Sequence, residues 1–124
     1  MANFRMECTA LEPNESFANA FGPLAVDVAY VAYLCPYDSV DWYWLETGSA
    51  SSIRVALSVP PLADLHLYLH DGSGAQIGAS ATIGDGDDEE IVSAVLPAGR
   101  YYVRVLPFSR RDPYQPYSLT ISLL

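Results

Sequence analysis

Positive charge is scarce in this chain: six basic side chains stand against fifteen acidic ones, for a formal charge of −9 over 124 residues. Binding to phosphate backbones or anionic lipid depends on clustered Lys and Arg, so nucleic acid and membrane surfaces are poor partners and a cation is a better one. Long apolar runs are missing too. The most apolar stretch, residues 21–34, is interrupted by Pro23 and Asp27 and falls short of the roughly 20 residues of a membrane-spanning helix. Residues 1–9 carry no hydrophobic core of a secretory signal, so the chain reads as a domain cut from a longer protein. Apart from a turn near residues 16–20, no segment beyond about ten residues has a helical period.

Catalytic constellations are equally lacking. Serine is plentiful, yet neither a G-x-S-x-G elbow nor an H-E-x-x-H helix occurs. Asp38 and Asp41 lie together on one short loop and leave no cleft in which a sugar could sit between them. An enzyme is therefore not expected. Half of the residues are hydrophobic, enough for one real core, and the length suits one domain.

Alternation with period two fills the chain from residue 26 onward, the mark of half-buried strands. Residues 52–59 place Ile53, Val55, Leu57 and Val59 on one face. Leu65, Leu67 and Leu69 share a face, with His66, Tyr68 and His70 opposite. Tyr101, Val103 and Val105 alternate with Arg100, Tyr102 and Arg104, and Tyr117, Leu119, Ile121 and Leu123 repeat the pattern. Residues 26–34, 41–45 and 89–96 are further predicted strands. Asp71-Gly72-Ser73-Gly74 supplies a hairpin turn, Pro97-Ala98-Gly99 another connection, and Pro60-Pro61 a crossover that no central strand tolerates. Seven or eight short strands with regular turns predict two packed antiparallel sheets, an all-β sandwich.

Five local patterns follow one another in an order shared with a known family. Glu12-Pro13-Asn14-Glu15-Ser16 resembles the E-P-N-D-S opening of the bacterial pre-peptidase C-terminal domain. Asp38-Ser39-Val40-Asp41-Trp42-Tyr43 is similar to its D-x-x-D-[WY]-[YF] segment, and Ala63-Asp64-Leu65-His66-Leu67-Tyr68-Leu69 to its A-D-L-x-L-x-L strand. Pro97-Ala98-Gly99-Arg100-Tyr101-Tyr102-Val103-Arg104-Val105 matches P-x-G-x-Y-Y-V-x-V, and Tyr117-Ser118-Leu119 the closing Y-x-L. The resemblance spans residues 11–124, leaving 1–10 as a tail or linker remnant. It implies a single jelly-roll-like β-sandwich beside the catalytic domain of a secreted bacterial protease or other exported enzyme. Clostridial collagenase collagen-binding domains are similar in fold and hold calcium in the corresponding acidic segments.

The acidic groups suggest a hard-cation site on their own account, because calcium takes six to eight oxygens from carboxylates, carbonyls and water. Glu12, Asn14 and Glu15 offer oxygens from one irregular segment, and Asp38 and Asp41 from another. Their convergence needs a cation to offset like-charge repulsion. Two positions depart from the collagenase-type site, which has a Glu where Ala10 stands and an Asp where Glu15 stands. Asp85-Gly86-Asp87-Asp88-Glu89-Glu90 lacks EF-hand spacing and reads as a solvated hairpin loop. Cys8 precedes the first acidic segment and Cys35 the second, so an exported chain would pair them in a disulfide contributing roughly 3–4 kcal/mol. His66 and His70, about 13 Å apart at strand rise, cannot share a zinc ion with them and read as surface histidines.

Contact with a macromolecular ligand calls for an exposed aromatic patch with a few charges. Tyr102, Arg104, Leu106 and Phe108 form one candidate. His66, Tyr68 and His70 form another, on the same sheet if their strands are neighbours. In the collagen-binding relatives tyrosines occupy the positions of Leu106 and Phe108, so collagen does not carry over. The expectation is a non-catalytic, calcium-binding accessory domain that stabilises a secreted enzyme or engages matrix protein or polysaccharide. Its alternatives are a carbohydrate- or protein-binding module working through the aromatic face, and a C-terminal segment removed during export and maturation.

Overall fold

Strict alternation along each strand sorts one set of side chains inward and leaves the other outward, and the core follows from that parity. The computed structural model describes residues 16–32, 40–81, 86–110 and 116–124, and of 108–110 the backbone only. Among these residues lie one 3₁₀ turn, Phe17–Asn19, and eight strands: β1 (Ala29–Ala32), β2 (Asp41–Thr47), β3 (Ser51–Ser58), β4 (Asp64–His70), β5 (Gln76–Ser80), β6 (Glu89–Leu96), β7 (Gly99–Arg110) and β8 (Tyr117–Leu123). The first sheet has the order β1-β8-β3-β6 and the second β2-β7-β4-β5, with every pairing antiparallel. The expected all-β sandwich is thus observed.

Between the sheets, Tyr43 and Leu45 of β2, Leu65, Leu67 and Leu69 of β4, and Tyr101, Val103 and Val105 of β7 meet Ile53, Val55 and Leu57 of β3 and Tyr117, Leu119 and Ile121 of β8. Each fully buried aliphatic side chain contributes about 1.5–3 kcal/mol by leaving water. Pro60 and Pro61 lie where the chain leaves β3 in one sheet for β4 in the other, as their chemistry requires. Asp71 builds the β4–β5 hairpin: its Oδ1 accepts the Ser73 hydroxyl at 2.6 Å and the backbone N–H groups of Ser73 and Ala75. These bonds, the Ser73 hydroxyl first, hold its carboxyl below the usual range. Gly74 supplies the left-handed φ of +92° that the turn needs.

Three sequence expectations are corrected. The strand expected over residues 26–34 is narrower at its start, because Asp27 has a left-handed φ of 60° that breaks extension before β1. β5 was not foreseen as a strand: Gln76-Ile77-Gly78-Ala79-Ser80 shows little apolar alternation because it is a part-exposed edge. The acidic run is no hairpin loop, since it joins β5 in one sheet to β6 in the other, and Glu89 and Glu90 open β6. Glu89 is buried and accepts the Ser80 hydroxyl at 2.5 Å, and Asp88 Oδ1 accepts the Val59 N–H at 2.9 Å.

Candidate functional site

The outward parity of β2, β7 and β4 aligns three rows of side chains across the second sheet. Trp42 stands opposite Arg104, which stands opposite Tyr68; Trp44 stands opposite Tyr102, which stands opposite His70; and Glu46 stands opposite Arg100. β4 and β7 are indeed neighbours, so the sequence-predicted residues His66, Tyr68, Tyr102, Arg104 and Leu106 share one face. Sequence reasoning missed Trp42, Trp44 and Arg100 as members of it. Their signal was the alternation of Trp42, Trp44 and Glu46 with Asp41, Tyr43 and Leu45.

Stacking fixes the face. The Arg104 guanidinium lies 5.5 Å from the Trp42 ring centroid and 4.6 Å from that of Tyr68, and the Arg100 guanidinium lies 3.8 Å from that of Trp44. For the part-buried Arg104 such contacts contribute on the order of 1 kcal/mol. Phe17 projects from the 3₁₀ turn onto Tyr102, with centroids 4.0 Å apart, and meets Trp42 edge-on at 5.7 Å. The chain then runs beside β2, exchanging the Phe21 N–H to Trp42 O and Trp44 N–H to Phe21 O bonds, each 2.9 Å. That pairing covers the edge β2 would otherwise expose.

Burial corrects the reading of the histidines and of Tyr102. His66 and His70 are each 5% exposed and Tyr102 is 8% exposed, so none is a surface contact. Phe17 covers Tyr102, Trp42 stacks on His70 at 4.8 Å, and His66 sits beside Asp64 at 3.8 Å and Tyr68 at 3.5 Å. His70 Nδ1 lies 3.0 Å from the Gly74 carbonyl, which can only accept, so Nδ1 carries the proton of the neutral ring. Burial lowers the His70 pKa below its ordinary 6.5, outweighing the rise from that hydrogen bond, and nearby Arg104 lowers it further. Trp42, Trp44, Tyr68, Arg104 and Leu106 remain part-exposed, while Phe108's side chain lies outside the described residues.

Of the five expected calcium ligands, Glu12, Asn14, Glu15 and Asp38 lie outside the described residues, as do Cys8 and Cys35. Asp41 shares the inward parity of Tyr43 and is fully buried. Its Oδ2 accepts the Tyr117 hydroxyl at 2.5 Å, and that hydroxyl in turn accepts from Tyr43. The chain of three polar groups links β2 to β8 across the sandwich. Burial first, then the proximity of Tyr43 and Asp41, pushes the Tyr117 pKa well above its ordinary value. Among the described residues, no three His, Cys, Asp or Glu side chains are grouped as a metal site.

On the first sheet a cavity of about 370 Å³ is lined by Arg54, Ser58, Asp88, Glu90, Ser118 and Thr120 among others. Two of its acids are already engaged: Glu90 pairs with Arg54 at 2.5 Å, and Asp88 holds the Val59 N–H.

Comparison with known proteins places this geometry in context. The profile of the bacterial pre-peptidase C-terminal domain matches residues 39–107. The pre-peptidase C-terminal domain of Bacillus anthracis collagenase superposes with a TM-score of 0.66 at 19% identity, over 80% of this chain and 91% of that one. The Aeromonas hydrophila PliG, a periplasmic inhibitor of g-type lysozyme, superposes with a TM-score of 0.55 at 18% identity, over 78% of this chain and 85% of that one. No curated protein matches the sequence.

Proposed function

Because the chain belongs to the bacterial pre-peptidase C-terminal domain family, we propose that it is a non-catalytic accessory module of an exported protein and that its working surface is the outer face of the β2-β7-β4-β5 sheet. The carrying observation is the row Trp42–Arg104–Tyr68, part-exposed and held on β7 between two hydrogen-bonded neighbours. A rigid aromatic surface with few rotamers to order loses little entropy on binding. The test is retention of the domain by insoluble collagen, chitin, cellulose and bacterial cell-wall preparations. Retention by at least one of them is expected, and the Trp42→Ala/Tyr68→Ala double variant, still folded by circular dichroism, should lose it. Undiminished retention of that variant, or no retention of the parent by any of the four, would overturn the reading.

A calcium ion held by Glu12, Asn14, Glu15 and Asp38 together with Asp41 is the second part of the proposal. Asp41 is the ligand whose setting the structure describes. Its buried carboxylate suits a hard cation in charge, while its Oδ2 is engaged by Tyr117. The ion would join the N-terminal segment to the start of β2 and stabilise the native state by mass action. Millimolar calcium should raise the melting temperature, and Asp38→Ala should abolish the rise. A parent melting temperature indifferent to calcium would remove this part.

A further inference from the structure

We infer that Arg104 is a carboxylate-binding subsite and that the face it centres takes an acidic polysaccharide built from uronic acid units. This inference rests on the outer face of the second sheet being the working surface. In a chain with fifteen acids and six basic residues, all of them arginine, Arg104 has no carboxylate within 4.0 Å among the described residues. Its Nη2 reaches only Gln76 Oε1, at 3.5 Å, and its buried Nε has no hydrogen-bond partner. Trp42 and Tyr68 hold the guanidinium plane, so its fork is oriented before a ligand arrives. A planar fork of N–H donors matches a carboxylate in bidentate fashion.

The rings of this face are partly covered. Arg100 lies over Trp44, Arg104 over Trp42, and Phe17 packs on Tyr102, so guanidinium edges are presented along with ring surface. A neutral sugar would use only the rings. A uronate uses both chemistries, its carboxylate on the fork and its C–H face against the exposed part of Tyr68. The overall negative charge does not forbid this. Glu46 is paired with Arg100 at 3.0 Å, and Asp71 is turned into its own hairpin. Asp27 and Glu90 are bonded to Ser122 and Arg54 of the other sheet, and Asp88 to the Val59 N–H just after β3. An acidic peptide is disfavoured because β7 is an inner strand, paired with both β2 and β4, and offers no free edge for an added strand. Two arginines are also too few for a nucleic acid backbone, whose affinity grows with the number of phosphates neutralised.

Binding of the full chain to polygalacturonate, measured by affinity electrophoresis in 150 mM salt with a chelator present, tests the inference. The parent should bind polygalacturonate at least about tenfold more tightly than its fully methyl-esterified form or poly-glutamate, the ratio that one charge-assisted hydrogen bond supplies. Arg104→Lys, which keeps the charge and loses the fork, should weaken the binding by a similar factor. Arg104→Ala should do the same, with near-ultraviolet circular dichroism reporting an intact fold. Equal affinity for the esterified polymer would overturn the inference while leaving the working surface in place. Equal affinity for poly-glutamate, full retention by Arg104→Lys, or no binding of the parent to polygalacturonate would each overturn it as well. The pull-down with insoluble polymers judges the surface itself independently.

Discussion

Replacing Tyr117 by phenylalanine deletes one buried oxygen and leaves the ring in the core. That oxygen donates to the Asp41 carboxylate and accepts from Tyr43, and all three residues are at most 1% exposed. A hydrogen bond to a charged acceptor contributes about 1.5–3 kcal/mol, and the loss of the bond accepted from Tyr43 adds about 0.5–1.5 kcal/mol. Tyr117→Phe is therefore expected to cost about 3 kcal/mol. Tyr43→Phe removes a neutral donor to Tyr117, leaves the bond to the Asp41 carboxylate in place, and should cost about 1 kcal/mol. Urea unfolding followed by tryptophan fluorescence measures both. The same site predicts an alkaline response. With its pKa raised by burial, Tyr117 keeps its proton in the native state where the unfolded chain loses it. Its contribution is complete below about pH 10, and stability falls above that by up to about 1.4 kcal/mol per pH unit. The fall should be shallower in Tyr117→Phe. A Tyr117→Phe cost no larger than that of Tyr43→Phe, or identical alkaline slopes for parent and variant, would refute the buried hydroxyl chain.

Gly22→Ala should destabilise by about 2–3 kcal/mol, since its Cβ would stand 2.4 Å from the Trp44 carbonyl oxygen and force the covering segment off β2; thermal unfolding reads the loss. His70, neutral in the fold with a lowered pKa, contributes stability that is complete above about pH 6.5 and lost as pH falls through its depressed native value. Denaturant titrations from pH 7 to 5 should show a decline that His70→Gln reduces. Arg54→Ala breaks an exposed ion pair with Glu90 and should change stability by less than about 1 kcal/mol in the same assay.

Parity was legible in the sequence and position was not. Alternation such as Leu65, Leu67 and Leu69 against His66, Tyr68 and His70 told which side chains share a face, because strand geometry has a fixed period of two. It did not tell that the outward set would be covered, since Phe17, which packs on Tyr102, reaches it from a segment far away in the chain. The row Trp42–Arg104–Tyr68 depends on the order β2-β7-β4 and on its register, and strands separated by tens of residues leave no local trace of their pairing. β5 escaped because an edge strand with one large apolar side chain, Ile77, has almost nothing to alternate. Asp41 shows the reverse case. It is charged, yet it keeps the inward parity of Tyr43 and Leu45 and is buried with them.

β8 is the last strand of the chain, and it lies inside the first sheet, between β1 and β3. Until its residues are available, β1 has no strand to pair with, Ile53, Val55 and Leu57 lack their flanking partners, and Asp41 lacks the Tyr117 donor. Because long-range pairings must close large loops before they stabilise anything, the first sheet stays open until β8 docks between β1 and β3. Closure of the first sheet is thus tied to the strand that comes latest in its sequence, and a truncation before Tyr117 would leave β1 unpaired and one side of β3 open.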